Sequence, residues 1–399
     1  MSHVLEVGLM LASLPLLACT TYLFVLALAS APLRAPVPPA PPTLRFDVVV
    51  PAHNESAGIA GTIASLLSVD YPKDLVRVLV VADNCVDDTA HKAREAGATV
   101  LERQDEKLRG KGYALAFGFA RCLADARADA VVVVDADTVV SKHLLGAFGA
   151  RLAAGAVAVQ AHYGVSNPLA SWRTRLMRIA LAMFHQVRST ARERLGVSCG
   201  LRGNGMCFRL PLLREVPHDA FSLVEDLEYG VRLGRAGHRV AYAGEAFVLG
   251  EMVSQERASR SQRQRWEHGR AQLARTMGWP LLREAFARKS GLLFDLTMDV
   301  LVPPLSRIGL FTLAWCAASL VLFASTDAGR WALLEVSFMV LGLSTYVFAG
   351  WLHSGTGFKG LLDLALAPAY VAWKLSLKAR RVKKPDEWVR TRRERETDR

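Results

Sequence analysis

From Val7 to Leu33 the chain carries no ionised side chain, and that run exceeds the ~20 residues an α-helix needs to cross ~30 Å of hydrocarbon. A membrane span is the reading this feature imposes on everything that follows. The small-x-small pattern Ala27-Leu28-Ala29 would also serve a cleaved secretory signal, but the residues ahead of the run, among them Ser2, His3 and Glu6, include no Lys or Arg. Arg34 and Arg45 follow the run, so the positive-inside rule puts the N-terminus outside and the next domain in the cytoplasm of an inner or plasma membrane. With 51% hydrophobic and 22% charged residues among 399, the chain is neither disordered nor collagen-like nor a disulfide-stapled miniprotein. Its net charge of +12 suits either nucleic acid or an anionic membrane surface, and the position of the charge decides between them. Six cysteines (Cys19, Cys85, Cys122, Cys199, Cys207, Cys316) contain no C-x-x-C pair and are read as reduced core thiols.

The chain divides by composition. After the span (1–33) a proline-rich linker (34–45) makes a stiff spacer. Residues 46–160 then alternate strand and helix: FDVVV, AGIAGTIASLL, RVLVVAD, a helix from Asp88 to about Gly97, TVLE, a helix from Tyr113 to Ala124, and VVVVD. Continuous valine runs mark strands buried on both faces, hence an α/β domain with a mostly parallel sheet, whose ligands sit beyond the carboxyl ends of the strands. Apolar character returns after residue 280. Residues 281–304, with Asp295, Asp299 and Pro303-Pro304, read as interfacial helices, and 305–353 as a transmembrane hairpin turning at Asp327–Arg330. Leu361–Leu377 is interrupted by Pro368 and charged at Asp363 and Lys374. Lys374–Arg399 holds eleven basic and five acidic residues. The positive-inside rule therefore favours three spans, with 354–399 an amphipathic helix and a basic cytoplasmic tail. Ser171–Leu195 reads as a basic amphipathic stretch that packs one face and solvates the other.

Chemistry gathers at the strand ends. VVVV runs into Asp135-Ala136-Asp137, and alternation points residues i and i+2 to one side, about 6.6 Å apart along a strand. Two such carboxylates repel unless a cation lies near them, and their hard oxygens suit Mg²⁺ or Mn²⁺. A polar turn after a buried strand would read the same in isolation. The first strand, however, ends in Pro51-Ala52-His53-Asn54-Glu55 and the second in Asp83-Asn84-Cys85-Val86-Asp87-Asp88-Thr89, so three successive ends deliver acids to one rim. Asp87 and Asp88 have a capping role available to them, whereas Asp83 has no comparable structural explanation. Arg109-Gly110-Lys111-Gly112 offers cations and flexible backbone before a helix, which suits a diphosphate. Glu225-Asp226 opens the helical stretch SLVEDLEYGVRL, and Gln262-Arg263-Gln264-Arg265-Trp266 lies in a polar helix, 254–277.

Taken together, PAHNE, DNCVDDT, DAD, the ED pair and Q-x-x-R-W occur in the order found in glycosyltransferase family 2, the inverting enzymes with a GT-A fold, and residues 46–280 resemble that domain. The membrane-embedded branch of the family, which includes polysaccharide synthases and ceramide glucosyltransferases, is similar in placing apolar segments on both sides of it. The resemblance implies that Glu55 and Asp83 hold the nucleoside, that Lys111 and Asp135 lie at the donor nucleotide, and that Asp135 and Asp137 place Mg²⁺ or Mn²⁺ on the diphosphate. It implies Asp226 as general base, with Glu225, Gln262, Arg265 and Trp266 on the acceptor and diphosphate side, joined by Asn204 in the loop Gly200–Gly205, which resembles the family's glycine-rich acceptor loop. Cys85 and Val86 interrupt a run that is often more polar, so Asp87 receives no metal role. Trp388, Thr391 and Arg392 resemble a W-x-T-R gating segment with one extra residue, although a lipid-binding basic tail would account for them equally.

The expected activity is transfer of a sugar from a nucleotide-diphosphate sugar, UDP-linked foremost, to a polysaccharide, direct displacement giving a β-linkage from an α-linked donor. The alternative is a single transfer to a membrane lipid. Three spans are few to enclose a sugar channel, so a polymerase of this kind would call for a homodimer or an accessory membrane subunit. A non-catalytic nucleotide-sugar sensor would be expected to have lost Asp226 or a D-x-D aspartate, and all are present. Nucleic acid is excluded as a partner because the basic residues cluster beside the membrane segments and lack an aromatic-interleaved sheet motif.

Overall fold

The computed structural model describes residues 2–31, 40–165, 172–250, 256–326 and 328–368. The chain begins with α1 (Ser2–Ala29) and enters an alternating unit of β1 (Phe46–Ala52), α2 (Ile59–Leu67), β2 (Val76–Asp83), α3 (Thr89–Glu95), β3 (Thr99–Arg103), α4 (Lys111–Asp125) and β4 (Ala130–Val133). It continues through β5 (Thr138–Val140), α5 (Leu144–Ala153), β6 (Ala158–Val165), α6 (Trp172–Leu181), a π-helical turn (Ala182–Val187), α7 (Arg188–Arg194), β7 (Met206–Arg209) and α8 (Leu210–Glu215). α9 (Glu225–Arg235), β8 (Val240–Gly250), α10 (Glu256–Ala287), α11 (Gly291–Leu301), α12 (Leu305–Ser325), α13 (Arg330–Ser354) and α14 (Gly357–Leu364) complete the described elements.

Eight described strands form one sheet in the order β3-β2-β1-β4-β7-β6-β8-β5. β1 runs parallel to β2 and β4, and β2 to β3, with Val48 opposite Val78 and Val49 opposite Val133. β7 is antiparallel to both β4 and β6, and β5 to β8, while β6 and β8 are parallel. The valine runs are buried on both faces as expected. Val48 and Val50 pack with Ile59, Ile63 and Phe148 on one side, and Val49 and Val81 with Leu115 and Phe119 on the other. Each such side chain contributes about 1.5–3 kcal/mol when fully buried. Three of the cysteines, Cys122, Cys199 and Cys207, are buried and all six are free thiols, but Cys19, Cys85 and Cys316 are only half-buried, so the core assignment holds for half of them.

α1, α12 and α13 are long and apolar enough to cross a membrane. Their few polar groups satisfy one another: Glu6 accepts from the Trp331 N–H at 2.9 Å, and the Ser13 hydroxyl donates to Glu335 at 2.5 Å. Such pairing is what hydrocarbon demands of polar side chains. The described part of 361–377, through residue 368, holds the end of α14, where Asp363 pairs with Arg175 of α6.

Two sequence expectations are corrected here. Arg188 and Arg192 of the basic stretch do not solvate a face; both are buried, because their guanidiniums meet Asp295 and Asp299 of α11 at 2.8–3.1 Å. By the same contacts the aspartates of α11 face protein rather than a headgroup layer. Charges that look solvated in one segment found their counter-ions about a hundred residues further along.

α4 enters the sheet at close quarters. A Cβ on Gly112 would collide with the carbonyl oxygen of Ala220, and one on Gly118 would stand 2.8 Å from a methyl of Val49. Gly112→Ala is expected to lower stability by about 1–3 kcal/mol through this overpacking, read as a fall in thermal midpoint; an unchanged midpoint would show that the 216–224 loop yields freely.

Candidate active site

The Lys111 ammonium organises one wall of a cavity of about 960 Å³. Gly110, with φ of 136°, turns the chain so that Lys111 opens α4. Its Nζ lies 2.6 Å from Asp135, 2.7 Å from the Gly203 carbonyl oxygen and 3.7 Å from Glu225. Burial alone would lower the lysine pKa, but Asp135 and Glu225 outweigh it and hold the side chain charged.

Asp135, Asp137, Glu225 and Asp226 all line this cavity. The two aspartates of D-A-D do not lie on a strand, because β4 ends at Val133 and β5 starts at Thr138. A turn, not strand alternation, brings them together. Asn204 pins that turn: its carbonyl oxygen accepts from the Asp135 N–H at 3.1 Å and its amide donates to the Thr138 hydroxyl at 2.8 Å. Asn204 is almost wholly buried, so its observed contacts support the acidic turn and not an acceptor. Glu225 and Asp226 occupy the first turn of α9. Burial pushes the Asp226 carboxyl up, with the Leu227 N–H, Lys111 and Arg202 opposing, and burial likewise raises Glu225 against the pull of Lys111. A Cβ on Gly203 would lie 3.3 Å from the Asp226 carboxylate and 3.5 Å from the Lys111 ammonium. The glycine-rich loop therefore fits between the Asp226 carboxylate and the Lys111 ammonium because residue 203 has no side chain.

Asp83 stands apart from this cavity's lining. It is fully buried, and Arg103 holds one of its oxygens at 2.6 Å while Asn84 donates to the same atom. A structural explanation thus exists where the sequence suggested none, since Arg103 lies one strand over. The other oxygen, Oδ2, is buried without a hydrogen-bond partner among the described residues. Glu55 follows β1, its N–H donating to the Thr89 hydroxyl at 2.8 Å, and Asp87 accepts from the N–H groups of Thr89 and Ser56 as a loop brace. Gln262, Arg265 and Trp266 fall on α10, with side chains outside the described set, and Trp388, Thr391 and Arg392 lie outside the described residues altogether.

The wall also includes residues the sequence did not single out for chemistry: Tyr163, Phe184, Arg202 and Arg270. Only Arg202, inside Gly200–Gly205, carried a signal, its place in a motif. Among the described residues no cluster of three or more His, Cys, Asp or Glu could cage a metal. Two hard carboxylates on one turn beside a lysine fit a different use, an Mg²⁺ or Mn²⁺ ion completed by substrate phosphates and water.

The sequence model described as Glycosyltransferase like family 2 matches residues 41–269, more than half the chain. The "Probable glycosyltransferase YdaM" of Bacillus subtilis is 25% identical over 56% of this chain and 55% of its own length. The "Beta-monoglucosyldiacylglycerol synthase" of Synechocystis is 28% identical over 69% of this chain and 60% of its own, and the "Probable glucomannan 4-beta-mannosyltransferase 1" of Arabidopsis thaliana 26% identical over 58% and 43%. The chain thus spans about half the length of these relatives. In fold it is similar to the mannosyltransferase PcManGT of Pyrobaculum calidifontis, solved with GDP-Man and Mn²⁺, at a TM-score of 0.54 and 18% identity over 95% of this chain and 94% of that one. With an acidic turn, a half-buried lysine and a paired Glu-Asp at the rim of a mixed sheet, this chain belongs to the family 2 glycosyltransferases and has the GT-A fold.

Proposed function

We propose that the protein transfers a sugar from a nucleotide-diphosphate sugar, UDP-linked foremost, to a hydroxyl of an acceptor that enters the cavity from the membrane, with inversion at the anomeric carbon. The observation that carries this reading is one cavity lined at the catalytic end by Lys111, Asp135, Asp137, Glu225 and Asp226, and elsewhere by Ile179, Leu305, Val347 and Leu364 of membrane-side helices.

A neutral hydroxyl is a poor nucleophile, and a nucleoside diphosphate leaves only when its charge is offset. Asp226, whose half-buried carboxyl has a raised proton affinity, takes the acceptor proton. The Lys111 ammonium, kept charged by Asp135 and Glu225, stabilises the departing diphosphate. Asp137 and Asp135 would hold Mg²⁺ or Mn²⁺, which supplies Lewis-acid neutralisation of the same phosphates. Glu55 and Asp83 are assigned to the nucleoside; the unpartnered Asp83 oxygen gives that assignment an acceptor atom. Gln262, Arg265 and Trp266 are assigned to the acceptor side on their motif alone. The catalytic domain faces the cytoplasm, as the charge flanking α1 suggests.

A lipid acceptor fits the apolar wall better than a growing glycan, whose hydroxyls would meet few hydrogen-bonding groups there, and it needs no channel-forming partner. The polysaccharide reading draws its support from the glucomannan mannosyltransferase relatives.

With radiolabelled UDP-sugars and membranes, label is expected in the lipid-extractable fraction. Label in insoluble polymer would overturn the lipid reading, and intact donor across a panel of UDP- and GDP-sugars would overturn the activity. Asp226→Asn is expected to cut the rate about 10²-fold or more while leaving UDP binding within twofold. Because Asp226 acts ionised and burial raises its pKa, the wild-type rate should fall as pH drops through a midpoint above the usual carboxylate range, a limb missing from the residual activity of the variant. Removal of divalent cations with EDTA should stop transfer, and added Mn²⁺ or Mg²⁺ restore it; unaffected turnover would dismiss the metal assignment.

A further inference from the structure

Between the two ends of the cavity lies a ring of guanidiniums that the proposed chemistry does not use. Arg188, Arg202 and Arg270 line the wall, and all three face the ring of Phe184, at 5.0, 4.5 and 4.8 Å from its centroid. With Arg192 behind them, they pair among the described residues with only two carboxylates, Asp295 and Asp299. Glu267, one turn before Arg270, and Asp226, whose carboxyl feels the charge of Arg202, are further acids on the same wall. His185 adds none, because burial and the neighbouring arginines keep it neutral. The Arg202 side chain is almost completely buried, and its Nε has no hydrogen-bond partner among the described residues. A buried guanidinium N–H without an acceptor is costly unless an anion arrives to meet it.

The order along the cavity defines the anion. Arg202 adjoins Gly203, which touches Asp226 and Lys111. Arg188 hydrogen-bonds Tyr346 of α13, whose hydroxyl donates to the Met183 carbonyl oxygen. Beyond Met183 the wall becomes apolar: Leu176, Ile179, Ala180, Leu305, Val347 and Leu364. A molecule matching this sequence has hydrocarbon chains, then a phosphate, then a hydroxyl. We propose that the acceptor is an anionic phospholipid with a hydroxylated headgroup, its phosphodiester held by Arg188, Arg202 and Arg270, its acyl chains against α6, α12 and α13, and a headgroup hydroxyl presented to Asp226. This inference rests on the transfer reaction above for the role of Asp226 and on the cavity alone for the phosphate subsite. The balance of the step is simple: the headgroup oxygen bonds to the anomeric carbon, the bond from that carbon to the diphosphate breaks, and the proton goes to Asp226.

The test is binding by the full-length protein in detergent, with neither donor nor metal present. Calorimetric titration compares dihexanoyl phosphatidylglycerol, dihexanoylglycerol (no phosphate) and glycerol 1-phosphate (no chains). The phospholipid is expected to bind at least tenfold more tightly than either. Arg270→Gln should remove most of the preference over dihexanoylglycerol, whereas Arg270→Lys keeps most of it. Ala180→Trp, at an exposed position on the apolar wall, should weaken both lipids and leave glycerol 1-phosphate unchanged. Equal binding of dihexanoylglycerol and the phospholipid, or full phospholipid affinity in both Arg270→Gln and Ala180→Trp, would overturn the inference. UDP titration with Mn²⁺ reports separately on the donor site. Phospholipid selectivity without UDP binding would sink the transfer reading and leave the subsite standing, and the reverse result would do the opposite.

Discussion

Asp299 has no solvent exposure and stands 2.8, 3.0, 3.5 and 3.4 Å from guanidinium nitrogens of Arg188, Arg192, Arg202 and Arg270. Burial alone would raise its pKa, but the arginines outweigh that and hold it far below the ordinary carboxylate range. One ionised side chain thus joins four partners drawn from α7, the glycine-rich loop and α10, and it sits on the short helix that leads into the apolar pair α12 and α13. Removing one partner from a buried ion pair typically costs about 3–5 kcal/mol, since the other charge is left stranded. The helices long and apolar enough to cross a membrane and the loop beside the Asp226 carboxylate are therefore positioned by the same contact. Tyr22 of α1 joins the cluster by donating to Asp295 at 2.8 Å, so the N-terminal span is tied in as well.

Around this anchor the cavity separates its electrostatics into zones. Near Lys111 the acids predominate, and the lysine holds Asp135 and Glu225 close to each other despite their like charge. Further in, guanidiniums predominate and stack on Phe184, where low polarity strengthens each interaction. Beyond them the wall presents the apolar side chains of Leu176, Ile179, Leu305, Val347 and Leu364. A substrate with one polar end and one apolar end would be oriented by these zones before any specific contact formed. The π-helical turn Ala182–Val187 carries Phe184 into the middle of the arginines on the cavity wall.

The parts legible in the sequence were those governed by local pattern. Valine runs declare buried parallel strands because both faces must be apolar, and the β1–β4 unit follows that pattern. Three long apolar stretches declare helices fit for hydrocarbon. Asp135, Asp137, Glu225, Asp226 and Lys111 were identified as site residues by their types and order, and they do share one cavity. Other assignments could not be read locally. The partner of Asp83 Oδ1, Arg103, comes from the adjacent strand, and the contacts of Asn204 run to the acidic turn 66–69 residues away.

What the sequence by itself determined was therefore the alternating α/β order, the apolar helices and the carboxylates and lysine that line the cavity. Only the tertiary structure decided which charges are solvated and which are paired. Arg188 and Asp299 lie 111 residues apart, and in sequence each looks like part of a polar surface. The physical reason is that hydrophobic periodicity reports local geometry, whereas the energy of a charge depends on its surroundings in three dimensions, which a single segment does not contain.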